Sequence, residues 1–438
     1  MNVRGERYVV LGLAHVRSEW FRAVAHWSTS ASLPVEFVKC VSVEELRARL
    51  TSGRAFSAVL VDAGLPGVDR DLLDEARAGG CAALVVDNGR APRDWVALGA
   101  GAVLPAFFER GELLQALAET ATPIGRGDSV LLTEGPVPNA GWRGRLVAIA
   151  GVGGAGTSTV AMALAQGLGS DPRYQGLVLL ADLALHADQA MLHDVGDIVP
   201  GVQELVEAHR GGQPSMQDTR ALTFSLPERQ YNLLLGLRRH RDWATIRPRA
   251  FEAALDGLRR CYKVTVADIT GDLEGEDQCG SIDVEERNLM ARTAVGFADA
   301  VLLVGGPGPR GLHRLVRLIA SAIDHGVPVP RLVPIVNHAP RNPHARAEVT
   351  AALADLARSL TQTGLPLAPP LQLPERRRLD EVVRDVSRLP SALVTPVTAA
   401  VLALFDRVDS IDPPAMMIDP QAIAIAPGSI GSYHEAGS

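Results

Sequence analysis

The sequence predicts an α/β protein built as two doubly wound parallel-sheet domains. Three observations lead there. Short apolar runs alternate with amphipathic stretches along most of the chain, the spacing of successive βα units. A Pro-, Gly- and Thr-rich stretch without periodicity, residues 120–143, divides the chain into two such arrays. The second array opens on Arg145 to Leu168, an apolar run, a turn of glycines and an Ala-rich helical pattern: strand, glycine turn, helix.

With 438 residues the chain has ample length for two cores. Its 43 Lys and Arg against 50 Asp and Glu give a net charge of −7, which excludes a polyelectrolyte for nucleic acid. Lys39 and Lys263 are its only lysines. The four cysteines, Cys40, Cys81, Cys261 and Cys279, form no C-x-x-C pair and no metal spacing, and read as reduced thiols. No cleavable signal and no apolar run of membrane-spanning length is visible, so the expected location is the cytoplasm.

In residues 1–119 the apolar runs Tyr8–Leu13, Val35–Val38, Ala58–Asp62, Ala82–Val86 and Ala102–Leu104 read as strands. Val43–Leu50, Leu72–Ala78 and Gly111–Leu117 read as helices, and Trp95–Leu98 as a further regular segment. The segment AVLVDAGLPGVD, Ala58 to Asp69, resembles the phosphoacceptor corner of two-component receiver domains, with Asp62 at the strand end. The resemblance extends to Phe108–Leu114, similar to the start of a receiver's last helix. A receiver's acidic pair is missing at Gly12, Leu13 and Ala14, and its lysine is replaced by Ala106. Neutralising a transferred phosphoryl group needs those parts. The expectation is a degenerate receiver-like docking domain in which Asp62 is a loop-capping carboxylate and is not phosphorylated.

The second domain, 144–408, continues with strands Gly176–Asp182, Asn232–Leu235, Val264–Asp268, Asp299–Val304 and Leu332–Asn337. Helices are expected over Val202–His209, Arg249–Arg260, Gly311–His325, Ala345–Leu360 and Ser391–Arg407. The acids between Asp272 and Glu286 lack calcium-loop spacing and read as a solvated loop, Gly364–Pro374 reads as a loop, and 409–438 as a disordered tail with no membrane-docking amphipathic helix.

In a parallel sheet the loops at the carboxyl ends of the strands share one rim, where ligands bind. That rim gathers Gly153, Gly154, Ala155, Gly156, Thr157, Ser158 and Thr159 of the glycine turn with Asp182, Asp268 and Asn337. Bare N–H groups at a helix start cradle phosphate. Strand-end acids and the Ser158 hydroxyl suit Mg²⁺, which takes few protein oxygens and keeps water and nucleotide ligands. A P-loop carries a lysine where Thr157 stands.

Together these features resemble the deviant Walker A ATPases of the MinD/ParA class, most closely the CpaE/TadZ branch and its actinobacterial homologues, some described as septum-site-determining. The resemblance spans roughly residues 8–407. The class pattern K-G-G-x-G-K-[ST]-T falls on Val152–Thr159, VGGAGTST, so Val152 replaces the partner-reaching lysine and Thr157 the phosphate lysine. It implies nucleotide contacts from Gly153 through Thr159, adenine contact by Asn337, and Mg²⁺ held by Ser158, Asp182 and Asp268. It also implies a catalytic aspartate at Asp182, whose second acid is lost at Ala184. From the resemblance follow ATP and Mg²⁺ as cofactors, weak or absent binding with little hydrolysis, and a homodimer. It further implies protein partners in a membrane-associated assembly, a Flp/Tad pilus or secretion apparatus or the septum, and recruitment to pole or septum.

Two other readings stay open. Gly151-x-Gly153-x-x-Gly156 also fits a dinucleotide fingerprint with Asp182 on a ribose hydroxyl, which would make the chain an NAD-dependent oxidoreductase. Alternatively the glycines only make a tight turn in a protein scaffold. Arg310, Arg314 and Arg317 read as a solvated helix face or as substitutes for the lost charge, and His186 as incidental.

Overall fold

A computed structural model describes residues 7–411 except 16–17, 31, 52–53, 90–92, 125–141, 362–366 and 377–378. Most of the expected 120–143 linker and the tail from 412 lie outside the described residues.

The first array forms a five-stranded sheet from β1 (Tyr8–Leu13), β2 (Val35–Lys39), β3 (Ala58–Asp62), β4 (Ala82–Asp87) and β5 (Ala102–Pro105). Its order is β2-β1-β3-β4-β5 with all pairs parallel, the order of flavodoxin-like sheets. The β3 run Ala58–Val61 is fully buried because helices cover both faces. These are α1 (Glu19–Thr29), α2 (Val43–Leu50), α3 (Arg70–Ala78) and α4 (Arg110–Thr120). Ser42 caps α2 by accepting from Glu45 N, and Asp69 caps α3 by accepting from Leu72 N. The Trp95–Leu98 segment is a series of turns instead of a regular element; its Trp95 and Leu98 are buried, so the apolar pattern reports anchoring and not periodicity.

The second array opens with β6 (Arg145–Gly151), α5 (Thr157–Ser170), β7 (Val178–Leu183), α6 (Gln189–Leu192), α7 (Val202–Gly211), α8 (Met216–Ala221), β8 (Phe224–Leu226), β9 (Tyr231–Leu234), α9 (Pro248–Cys261) and β10 (Val264–Thr270). It continues with α10 (Glu276–Cys279), α11 (Ile282–Arg287), α12 (Leu289–Phe297), β11 (Ala300–Gly305), α13 (Pro309–Asp324), β12 (Leu332–Ala339), α14 (Pro343–Leu356), β13 (Leu371–Pro374), α15 (Leu379–Arg384) and α16 (Ser391–Ile411). The sheet order is β13-β12-β11-β6-β10-β7-β9-β8, parallel except for the β8 edge strand, which runs antiparallel to β9. Proline at the first helical position starts α9, α13 and α14.

Three expectations change. Leu371–Pro374 is a strand, because it pairs with β12 at the sheet edge. Between the expected helix Val202–His209 and the expected strand Asn232–Leu235, where no regular element is expected, lie α8 and β8. The acidic segment contains the short helices α10 and α11, with most of its side chains in solvent.

Helix α5 is buried from Val160 to Gly169 because the sheet lies on one side of it and α16 on the other. A side chain at Gly167 would run into Thr398 of α16, so a residue that is poor for helix propensity is what lets the two helices cross closely.

The two sheets meet through α3. Arg70 donates to the carbonyls of His209 (3.0 Å) and Gly212 (3.3 Å), at the C-terminal end of α7. Asp71 accepts the free N–H of Arg249 (2.9 Å) at the start of α9, and Asp69 accepts from Arg210 (2.8 Å). Cation to helix C-terminus and carboxylate to helix N-terminus is the favourable sense for both dipoles. Asp71→Ala is expected to cost about 1 kcal/mol, the worth of an N-cap, read as a lower midpoint in urea. An unchanged midpoint would remove Asp71 from the interface energetics.

Candidate functional site: a glycine turn over a buried acid pair

The strand β6 carries a run from Leu146 to Ala150 with no exposed surface, and its chain emerges at the rim as Gly151. Gly154 (φ +79°) and Gly156 (φ +82°) take left-handed conformations that let the turn fold back into α5. Gly156 occupies the N-cap position and has no side chain with which to cap. Among the described residues nothing accepts the N–H groups of Gly153, Gly154, Gly156, Thr157, Ser158 and Thr159. Unpaired donors at a helix start are a ready anion cradle.

The turn is held from beneath. Asn337, almost fully buried at the end of β12, donates through Nδ2 to Ala155 O at 2.8 Å. A side chain at Gly151 would run into Thr157 Oγ1, so the threonine at the lysine position folds back against the end of β6.

Below the α5 start, the register of adjacent strands sets Asp268 of β10 directly beside Asp182 of β7. Both are buried, at 2% and 1% exposure. Sequence reasoning missed the residue that joins them, Gln189, which is completely buried at the start of α6. Its backbone N–H donates to Asp182 Oδ2 (2.9 Å) and its Nε2 to Asp268 Oδ2 (2.7 Å). Asp182 Oδ1 takes the N–H of Ala184 at 3.3 Å, so both Asp182 oxygens already accept backbone donors. Desolvation raises both carboxyls. Asp268 reaches about 6, with the neighbouring Ser158 hydroxyl and Gln189 amide pulling against the rise. Asp182 lies well above the usual range, through burial first and the adjacent Asp268 second.

Gln189 also leads away from the rim. Its carbonyl faces His193 Nδ1 (2.7 Å), and His193 Nε2 faces the Tyr231 hydroxyl (2.7 Å). Because a carbonyl only accepts, Nδ1 carries the proton and Nε2 accepts from Tyr231. Burial lowers His193 to about 4 and raises Tyr231 to about 12. Beyond them Arg229, with no exposed surface, donates to Val386 O (3.3 Å) and Met162 Sδ (3.1 Å).

Two cavities flank the turn. One, of about 660 Å³, is lined by Gly151, Val152 and Gly153 with residues 270–274 and the face of α13 that carries Arg314 and Arg317. The other, about 50 Å³, lies beside Gly156, Thr159, Asn337, His338, Leu373 and Arg376. It is well below the ~300–1,000 Å³ of small-molecule sites. Among the described residues no three His, Cys, Asp or Glu side chains converge on a metal position. The oxygens of Ser158 and Asp268 are few and hard, which fits Mg²⁺ completed by water and phosphate.

Asp62 lies apart from this rim, at the end of β3. Its oxygens accept from the Ser18 hydroxyl (2.7 Å) and Gly64 N–H (3.0 Å). The space a side chain at Gly12 would need is filled by the Phe37 ring.

The strand order separates this sheet from the dinucleotide-binding arrangement. There the acid-bearing second strand adjoins the glycine-turn strand; here β10 lies between β6 and β7. Asp182 is therefore one strand further from the turn than a ribose-binding acid.

Among the described residues no helix is long and apolar enough to cross a membrane. No protein-family model matches the sequence, and no curated protein matches it. Solved structures similar to the chain include a ParA family ATPase from Chlorobium tepidum TLS, at 15% identity over 59% of this chain and 98% of that one, TM-score 0.46. A second is the septum site-determining protein MinD of Pyrococcus horikoshii OT3 complexed with Mg-ADP, at 18% identity over 61% and 96%, TM-score 0.42. A third is a putative plasmid partition protein of Borrelia burgdorferi B31 bound to AMPPNP, at 14% identity over 61% and 100%, TM-score 0.42. At these identities the likeness is one of chain trace, and the chemistry rests on the residues themselves.

Proposed function

We propose that the chain is a nucleotide-binding positioning protein of the MinD/ParA kind, in its CpaE/TadZ branch, that binds ATP with Mg²⁺ and hydrolyses it little or not at all. The observation that carries this reading is the set of unaccepted N–H groups of Gly153, Gly154, Gly156, Thr157, Ser158 and Thr159, placed above the Asp182–Gln189–Asp268 cluster. Backbone donors and the α5 dipole attract phosphate without a lysine. Without Thr157 being a lysine, the charge that develops at the terminal phosphate is poorly neutralised, and transfer is slow. In this reading Ser158 and Asp268 hold the Mg²⁺, which when bound neutralises phosphate oxygens. Asp182 positions Gln189 behind them, and Asn337 holds the turn beside the base.

Residues 1–119 form a receiver-like docking domain, unphosphorylated at Asp62, and 144–408 the nucleotide domain. The protein acts as a cytoplasmic homodimer recruited by protein partners to a Flp/Tad pilus or secretion apparatus, or to the septum.

The test is equilibrium titration of ATP, ADP and NAD into the purified full chain with Mg²⁺, followed by phosphate release. ATP and ADP are expected to bind, NAD not, and phosphate release to match that of Asp268→Asn. Binding of NAD would overturn the reading, as would robust turnover abolished by Asp182→Ala. Binding of none of the three would leave the turn as scaffold alone.

A further inference from the structure

We propose that Arg314 and Arg317 form the cationic wall of a subsite for the terminal phosphate of a nucleoside triphosphate held on the glycine turn. This rests on the nucleotide reading above and extends it. The turn separates two cavities. The small one, beside Asn337, adjoins the start of α5, whereas the 660 Å³ cleft begins where Val152 and Gly153 leave the sheet. A triphosphate laid along the free N–H groups, with its base end at Asn337, directs its last phosphate into that cleft.

The cleft's other wall is α13. Leu312, Leu315, Leu318, Ile319 and Ala322 are buried in the core, which fixes the helix and turns Arg314 and Arg317 outward. Both arginines are exposed, and among the described residues neither has a hydrogen-bond or ion-pair partner. That contrasts with Arg287, which is paired to Asp272 of the same cleft at 2.6 Å. The acids of the cleft are Asp272, Glu274 and Asp324. The Asp272 charge is met by Arg287, whereas the exposed Glu274 carboxylate has no ion-pair partner among the described residues and leaves one acid against the two arginines near the turn. Asp324 ends α13, seven positions beyond Arg317 and ten beyond Arg314, which at 1.5 Å per residue is about 10 and 15 Å along the axis, against a Debye length of about 8 Å at physiological salt. Because α13 follows β11, whose Val304 is in register with Gly151, the arginine half of the helix is the half nearer the turn. Arg310, at the very start of α13, does not line the cleft.

Guanidinium groups suit a phosphate's oxygens, through paired N–H donors and a charge that never titrates away. Here they would supply from a neighbouring helix the charge that Val152 and Thr157 do not bring. The turn itself holds the inner phosphates through backbone, so the arginines distinguish ATP from ADP more than they contribute to binding either.

The experiment measures Kd for ATP and ADP, with Mg²⁺, on the full chain, on Arg314→Ala/Arg317→Ala and on Arg314→Lys/Arg317→Lys. Wild type is expected to prefer ATP by about tenfold, equivalent to ~1.4 kcal/mol. The alanine pair should erase that preference with ADP affinity kept, and the lysine pair should restore part of it. A preference that survives in the alanine pair overturns the subsite and leaves the nucleotide reading standing. Equal weakening of ATP and ADP also overturns it, since the arginines would then act on the shared part of the ligand. If wild type binds neither nucleotide, both proposals fall together.

Discussion

Gly156→Val is expected to abolish nucleotide binding, weakening it by at least ~100-fold, about 2.7 kcal/mol, and to lower stability as well. Gly156 has φ +82°, where a residue with a Cβ costs roughly 1–2 kcal/mol and a β-branched one more. The new side chain would also run into Asn337 Nδ2, the group that ties Ala155 into place. Displacing it breaks a buried hydrogen bond worth about 1 kcal/mol. The free N–H groups then no longer converge on one point. Gly153→Ala is the control, because a Cβ there meets no heavy atom within 4 Å and the stability of that variant should match wild type. Calorimetric binding with thermal melts on both variants separates the effects. Gly156→Val protein that still binds ATP at wild-type affinity would remove the turn from the site.

The second large effect is a pair of opposed pH dependences hidden in one network. His193 titrates near 4 in the folded protein against about 6.5 unfolded, because burial disfavours its charged form. Between those values the unfolded chain binds the extra proton, so acidification from pH 6.5 to 4 removes about 3 kcal/mol of stability through His193. Asp268 works in the other direction. Its folded value near 6 lies above the unfolded carboxylate value, so the folded state binds the proton first and acidification from pH 6 to 4 returns about 3 kcal/mol. Asp182, raised by burial and by Asp268, acts in the same sense as Asp268, so the wild-type pH dependence is the sum of all three groups. Urea denaturation without nucleotide or Mg²⁺ on wild type, His193→Gln and Asp268→Asn should expose each one. Relative to wild type, His193→Gln becomes more stable as pH falls across that window, and Asp268→Asn becomes less stable. Differences that are flat in pH, or that share a sign, would contradict this account of the buried network.

Much of the fold is legible in sequence for one physical reason. Strands β6, β7, β10 and β11 are covered on both faces, so each is a nearly unbroken apolar run that shows without any partner. The glycine turn is legible because left-handed residues demand glycine. The edges are not: β8 and β13 are three and four residues long and are stabilised by a single neighbour, so their sequences carry little periodicity of their own. Within the site, Asp182, Asp268 and Asn337 were readable as strand-end polar residues. Gln189, His193, Tyr231 and Arg229 were not, since each is an ordinary polar residue until burial gives it a partner it cannot exchange for water.

Sequence alone determined the order of the buried strands and the longer helices, the position of the glycine turn and the absence of a lysine from it, because these depend on local periodicity and backbone conformation. Tertiary structure decided which strands adjoin. By inserting β10 between β6 and β7, it set Asp268 and Asp182 side by side under Gln189 and moved Asp182 away from a ribose-binding position. It also decided which arginines face the turn. Helical spacing groups Arg310, Arg314 and Arg317 alike, and only the packing of α13 against β11 and β12 sets Arg314 and Arg317 on the cleft wall and leaves Arg310 off it. Strand adjacency and helix orientation arise from long-range burial of apolar faces, a property of the assembled core that no short stretch of sequence contains.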